Sequence, residues 1–318
     1  MKTCDGTKPA ALFAALVSAG VVLCLPMAGF TANENGDNPE LRLVFFSDVH
    51  ARTEWGTPEA MKIAAEAIND VQADLVLGGG DLITDGFQSG AAAVESRWDA
   101  YMAFHEMLDG TVHTAIGNHD LVGAIPEDGT EPSTDPRAEF RRRLGVDRTY
   151  YSFDINGYHV IVLDSIRIAG QRTKYQGLVS REQMDWLEQD LRDVPANQPV
   201  IAVMHIPLVT SFFMMTDGPT VAAPTGRVVV NSLDLLDAFR DHNLILVLQG
   251  HMHVSESIKW RNTTYITGGA ISGRWWRGGI CLKGRNRKKA KARIPTDRLS
   301  MSLDWSRFNP IRWSLPTW

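Results

Sequence analysis

Short apolar runs that stop at glycine or polar residues alternate along this chain with stretches whose apolar positions recur every three or four residues. "LRLVFFSD" (41–48) reads as a buried strand. "PEAMKIAAEAINDVQ" follows with helical spacing at Met61, Ala64, Ala65, Ile68 and Val71, and with Thr57 and Pro58 placed as N-cap and first helical residue. "ADLVLGGGD" (73–81) is a strand stopped by glycines, "RWDAYMAFHEML" (97–108) a helix, and "TVHTAIGNHD" (111–120) a strand running into a polar loop. "TYYSFDINGYHVIVLD" (149–164) predicts a hairpin turning at Asn156-Gly157. "SREQMDWLEQDLRDV" (180–194) predicts a helix opened by a capping box of Ser180 and Gln183. Strand "QPVIAVMH" (198–205), helix "SLDLLDAFRDHN" (232–243), strand "LILVLQGH" (244–251) and a second hairpin in "SIKWRNTTYITGG" (257–269) complete the series. Strands alternating with helices, plus hairpins, imply a mixed α/β sandwich. Residues 210–230 show no period, and a loop of that length fits a lid beside a site.

Composition changes the picture at the two ends. The 318 residues are 44% apolar and 22% charged, as in an ordinary globular protein of one large domain or two small ones. The net charge of −5 argues against nucleic acid as a specific partner. That charge is uneven: residues 281–318 carry ten Lys/Arg and two Asp/Glu, a net of +8 against −13 for the rest. This basic tail fits contact with an anionic surface, a solvated disordered tail, or a shifted reading frame. At the other end, Lys2 and Lys8 precede the apolar stretch "AALFAALVSAGVVLCLP". Residues 1–32 therefore read as a signal peptide or an uncleaved anchor, with 33–40 as a linker, so the protein is expected to be exported and, if anchored, associated with a membrane through its N-terminus. Cys4 and Cys24 lie in that leader; cleavage would leave Cys281 alone, with no internal disulfide.

The chemistry collects where strands give out. The ends carry Asp48 and His50 in "SDVHAR", Asp81 in "GGGDLITDG", Asn118, His119 and Asp120 in "GNHD", Asp164 after the hairpin, His205 in "VMHIPL", and His251 and His253 in "GHMH". Strand ends of α/β sheets are where ligand sites form. Carboxylate, carboxamide and imidazole together suit Mn, Fe or Zn. Any one block alone is weak, since a strand-end Asp can be a turn and a lone His a core residue; five in order are not.

In that order the blocks D-x-H, GD, GNHD, H and GHxH resemble the calcineurin-like metallophosphoesterase superfamily over residues 41 to about 276. The resemblance implies a domain over 41–280 with a four-layer α/β/β/α sandwich of mixed sheets. It also implies two metal ions, divalent or of mixed valence: one on Asp48, His50 and His253, the other on Asn118, His205 and His251, with Asp81 bridging. A water shared by the ions would be hydroxide near neutral pH and attack phosphorus in line. His119 would stabilise the developing charge or protonate the leaving oxygen, and Asp120 would hold the other nitrogen of His119. The tyrosine that binds ferric iron in purple acid phosphatases has Thr84 in its place, so the chain is more similar to bacterial class III cyclic-nucleotide phosphodiesterases. The expected activity is phosphodiester hydrolysis on a small phosphoester; a phosphomonoesterase and a non-catalytic binding module of the same fold are the alternatives. Gly250 is expected to let the chain turn so that His251 and His253 aim at separate ions. Arg274, Trp275 and Trp276 are weaker candidates, for phosphate pairing and for stacking on a base or packing over a sheet edge.

Overall fold

The computed structural model describes residues 27–28, 40–54 and 56–271. The leader apart from Met27–Ala28, the linker 33–39, the basic tail, and Arg274, Trp275 and Trp276 lie outside the described residues.

In chain order the strands are β1 (Met27–Ala28), β2 (Glu40–Leu41), β3 (Leu43–Phe46), β4 (Leu75–Gly78), β5 (Val112–Thr114), β6 (Tyr151–Ile155), β7 (Tyr158–Val162), β8 (Ile166–Gly170), β9 (Lys174–Gly177), β10 (Pro199–Met204), β11 (Asn243–Gln249), β12 (Glu256–Trp260) and β13 (Thr263–Thr267). The helices are α1 (Thr57–Asn69), α2 (Ala91–Glu106), α3 (Ala138–Leu144), α4 (Arg181–Arg192), α5 (Phe212–Thr216) and α6 (Ser232–Ala238). One sheet is parallel, in the order β3-β4-β5. A six-stranded sheet has the order β12-β13-β11-β10-β7-β6, with a parallel centre and antiparallel pairs at both edges, and β1-β2 and β8-β9 form separate two-stranded pairs. Bridges Ser47–Ala270 and Ala51–Ile83 extend the pairing into the loops.

Strand alternation sorts the side chains into two cores. Leu43, Phe45, Leu75 and Leu77 of the first sheet meet Tyr158, Val160, Val162, Ile201, Val203, Leu246, Leu248 and Ile266 of the second, so this core lies between the sheets. The intervening positions, among them Val44, Phe46, Val76, Ile161, Val200, Ala202 and Val247, face outward under helices. Phe46 meets Phe104 of α2 edge-on at 5.7 Å between ring centroids. On the opposite outer face, His159 of β7 bonds Asp190 of α4 at 2.9 Å. The layers are thus α/β/β/α, as the resemblance implied. Burial on both faces is why the central strands read as continuous apolar runs.

Local outcomes test the sequence reading. Asn156 (φ 48°) and Gly157 (φ 81°) make the hairpin turn, both in the left-handed region that a two-residue connection demands. α1 begins one residue earlier than expected: Gly56 is the N-cap and Thr57 is already helical and buried. α2 begins at Ala91, six positions ahead of the periodic stretch, because Ala91–Ala93 favour helix without contributing an apolar face. Only half of the capping box forms. Ser180 accepts from the Gln183 amide at 3.3 Å, while the Gln183 side chain accepts from Asp164 N at 2.9 Å and donates to Asp164 O at 2.8 Å. The β8–β9 hairpin and α3 have no counterpart in the sequence reading.

Candidate metal centre

Each strand-end block lies at the C-terminal edge of its sheet, and the loops there are laced together. After β3 and β4 the chains run side by side through Asp48 N→Gly80 O, His50 N→Asp81 O and Ala51 N→Leu82 O, each 2.9 Å. After β10 and β11, Gly250 N donates to His205 O, also at 2.9 Å. The turns are sharp enough to put Asp48 (φ 55°), His50 (47°), Asp81 (52°), His251 (71°) and His253 (54°) in the left-handed region. For non-glycine residues that conformation is disfavoured by roughly 1–3 kcal/mol each, and such residues concentrate at functional sites. The expected role of Gly250 changes accordingly. His251 and His253 take the positive φ themselves; Gly250 is needed because a Cβ there would collide with Ser47 Oγ and the Asp48 carboxylate.

The ligand atoms fall into two groups with Asp81 in common: Asp48, His50, Asp81 and His253; and Asp81, His205 and His251. In the first, His50 Nε2 lies 3.0 Å from His253 Nε2 and 3.7 Å from Asp81 Oδ2, and His253 Nε2 lies 3.0 Å from Asp48 Oδ1. In the second, His205 Nε2 lies 3.2 Å from Asp81 Oδ2, 3.1 Å from His251 Nδ1 and 3.2 Å from Asn118 Oδ1. Backbone carbonyls set two of the tautomers. His205 Nδ1–H donates to Gly79 O at 2.7 Å and His251 Nε2–H to Gly226 O at 3.0 Å, so the inward nitrogens are the ones left to face a metal ion. Lone pairs and carboxylates gathered this tightly out of water are unfavourable without cations among them. The residues therefore fit two metal ions, and the donor set suits Mn, Fe or Zn.

The electrostatics follow from burial and neighbours. Burial, opposed by Asp81, takes His50 down to about 3, the neutral form that binds metal. Burial and the adjacent His205 hold His251 well below its ordinary value. His205 moves the other way, to about 9, because burial is outweighed by Asp81. Asp48 is pulled down to about 2, with His253 overcoming the effect of burial.

His119 sits at the rim, its ring 4.8 Å from that of His50 and edge-on to it. Its Nδ1 accepts the Asp85 backbone N–H at 2.9 Å, so the neutral ring carries its proton on Nε2. This corrects the expected role of Asp120. Asp120 does not hold His119: its Oδ1 accepts from Leu82 N (2.8 Å) and Ile83 N (3.1 Å) and its Oδ2 from Gly117 N (2.8 Å). It braces the loops after β4 and β5, a task that a short side chain beside orphan amides performs well. Burial and the nearby Asp81 raise its carboxyl to about 8. Asp164 also stands apart from the two ligand groups, taken up by Arg137 at 2.6 Å and Thr149 at 2.9 Å. Thr84 is buried and donates to His50 O at 3.0 Å.

Three residues beside the cluster escaped the sequence reading. The aperiodic stretch does reach the site: after the short helix α5 it turns at Thr225–Arg227 and runs on as a strap beside β9. Gly177 N→Thr225 O and Val230 N→Gly177 O, both 2.8 Å, tie it to β9. Asn231 grips Val179 N and O at 3.2 and 2.9 Å. The strap brings Gly226 O to His251 and places Arg227 Nη1 3.5 Å from His251 Nε2. Tyr175 of β9 packs edge-on between Phe87 and His251, with centroids 5.5 and 6.0 Å away. No spacing rule marks these positions; only tertiary pairing brings them in.

The fold and the paired ligand groups define a class, the metal-dependent phosphoesterases. The chain belongs to the calcineurin-like phosphoesterase family, whose model matches residues 41–255. A Rhodococcus erythropolis protein named "Probable cyclic nucleotide phosphodiesterase" is 27% identical over 234 residues, covering 68% of this chain and 66% of that protein. Among solved structures, a dimetal phosphatase from Danio rerio superposes with a TM-score of 0.54 at 17% identity, covering 72% of this chain and 87% of its own.

Proposed function

We propose that this protein hydrolyses phosphoester bonds, phosphodiesters foremost, with two divalent ions held by the groups that share Asp81. The observation that carries this reading is the shared carboxylate: two clusters of ligands, all buried except the half-buried His253 and each of a composition that suits a transition metal, meet at one anionic residue. Two such ions would supply Lewis acidity toward the phosphoryl oxygens and acidify a water between them. The protein's own residues do the rest. Asp81 offsets the repulsion between like charges. The Gly79 and Gly226 carbonyls aim His205 and His251. His119, with its proton on Nε2, offers a donor at the mouth for a phosphoryl or leaving-group oxygen. Preference for diesters is supported by the Rhodococcus relative, a probable cyclic nucleotide phosphodiesterase.

The test is chelation and reconstitution. Metal-stripped protein should lose hydrolysis of bis(p-nitrophenyl) phosphate and regain it with Mn, Fe or Zn. Turnover unaffected by chelation and by Asp81→Ala would overturn the reading. Turnover of p-nitrophenyl phosphate but not of the diester would convert it to the monoesterase alternative.

A further inference from the structure

We propose that Arg227 is a substrate-binding residue that takes an anionic phosphoryl oxygen, with Tyr175, whose ring lies beside the same strap, as a second contact. The proposal rests on the metal-dependent reading above and adds to it the group that senses substrate charge.

The first argument is placement. Arg227 Nη1 lies 3.5 Å from the outer nitrogen of His251, whose inner nitrogen faces His205 at 3.1 Å. Because His251 Nε2–H already donates to Gly226 O, it cannot also accept from the guanidinium, and the Arg227 donors remain for another acceptor. Among the described residues Arg227 forms no ion pair with a carboxylate, whereas the cationic Arg137, Arg141, Arg142 and Arg143 each have one. It is exposed, so solvent and substrate reach it.

The second argument is charge. A cation held beside a ligand of a dication site is repelled by the ions that site would hold. The arrangement becomes favourable when an anion lies between them. A phosphoester is such an anion, and a guanidinium matches its oxygens with paired donors.

The third argument is rigidity. The strap is tied to β9 on both sides of Arg227, through Thr225 and Val230, and Val229 N donates to Pro207 O at 2.9 Å. Gly177 must lack a side chain, since a Cβ there would collide with the Val228 carbonyl. The Tyr175 ring lies beside Gly226, the neighbour of Arg227 on the strap, and edge-on to His251 at 6.0 Å between centroids.

A contact of this kind strengthens with ligand charge, so it should favour dianionic over monoanionic phosphates. The experiment titrates inorganic phosphate into Mn-loaded protein by calorimetry. It uses wild type, Arg227→Met, Arg227→Glu and Tyr175→Phe, with Mn content measured in each. Arg227→Met should weaken phosphate about tenfold, the scale of a charge-assisted hydrogen bond, and Arg227→Glu further. Tyr175→Phe should cost less, about threefold. KM for p-nitrophenyl phosphate should rise more than KM for bis(p-nitrophenyl) phosphate, at unchanged Mn content. Phosphate binding within twofold of wild type in both Arg227 variants would overturn the proposal. So would a fall in Mn content that accounts for the loss, since Arg227 would then be acting through His251. If wild type turns over no phosphoester yet binds phosphate in an Arg227-dependent way, the hydrolase reading falls and this one stands.

Discussion

His50 and His251 at the strand ends and His159 on the outer face of β7 are held in opposite protonation states. At the strand ends, His50 and His251 are buried against other imidazoles and kept neutral, with lone pairs turned inward. On the outer face of β7, His159 is clamped between two carboxylates, Nδ1 to Asp154 Oδ1 at 3.0 Å and Nε2 to Asp190 Oδ2 at 2.9 Å. There burial opposes the charged ring, but Asp190 and Asp154 overcome it and raise its pKa. Both clusters pair buried His with Asp, so composition does not separate them. The difference is what fills the second ring nitrogen. A carboxylate on each side of one ring makes an ion pair. A backbone carbonyl on the outer nitrogen of each of several converging rings, as at His205 and His251, makes ligands.

The comparison can be broken most forcefully at Asp81. Asp81→Ala removes the carboxylate common to both groups; turnover should fall about a thousandfold or more, given the several kcal/mol that metal ions supply, and bound metal measured by mass spectrometry should drop. Retained metal and retained turnover would show that the shared carboxylate is not what holds the centre together. Next is Gly250→Ala. Its Cβ would press on Ser47 and Asp48, so thermal unfolding should show a loss of about 2 kcal/mol with weaker metal binding. Asp120→Ala sharpens the comparison from inside the site. Three backbone N–H groups lose their acceptor, costing about 2 kcal/mol of stability, yet the pH dependence of kcat should keep its shape because Asp120 does not touch His119. The smallest effect belongs to His159. Folding favours its protonated form, so its contribution is complete below the ordinary imidazole pKa and fades as pH rises through the raised value. The loss should be about 1 kcal/mol or less in melts from pH 6 to 9, and His159→Gln should flatten it.

The legible parts share one physical cause. Central strands buried on both faces announce themselves as apolar runs, and glycines mark where they stop, so the strand ends and their Asp and His residues could be read directly. The left-handed turns at those ends could not. Aspartate and histidine occupy them here, where a sequence reader would look for glycine. The β8–β9 hairpin was missed because "IRIAGQRTKYQG" is mostly polar and half-exposed, and α3 because Phe140 is its only buried residue. The reading of Asp120 rested on its neighbour in sequence, while two of its three partners, Leu82 and Ile83, lie on a different loop. Gly226, Arg227 and Tyr175 were invisible for the same reason: strap and hairpin meet only in three dimensions.

The left-handed backbone at Asp48, His50, Asp81, His251 and His253 has a consequence for how this protein would evolve under selection. Glycine at any of these positions would relax the chain while deleting a ligand. A laboratory screen that rewards thermostability alone, run without metal, should therefore enrich such replacements and erode the centre one ligand at a time. The same screen in saturating metal should preserve all five, because the bound ions would then reward the strained conformation. The motif would persist in a lineage for as long as its metal supply does.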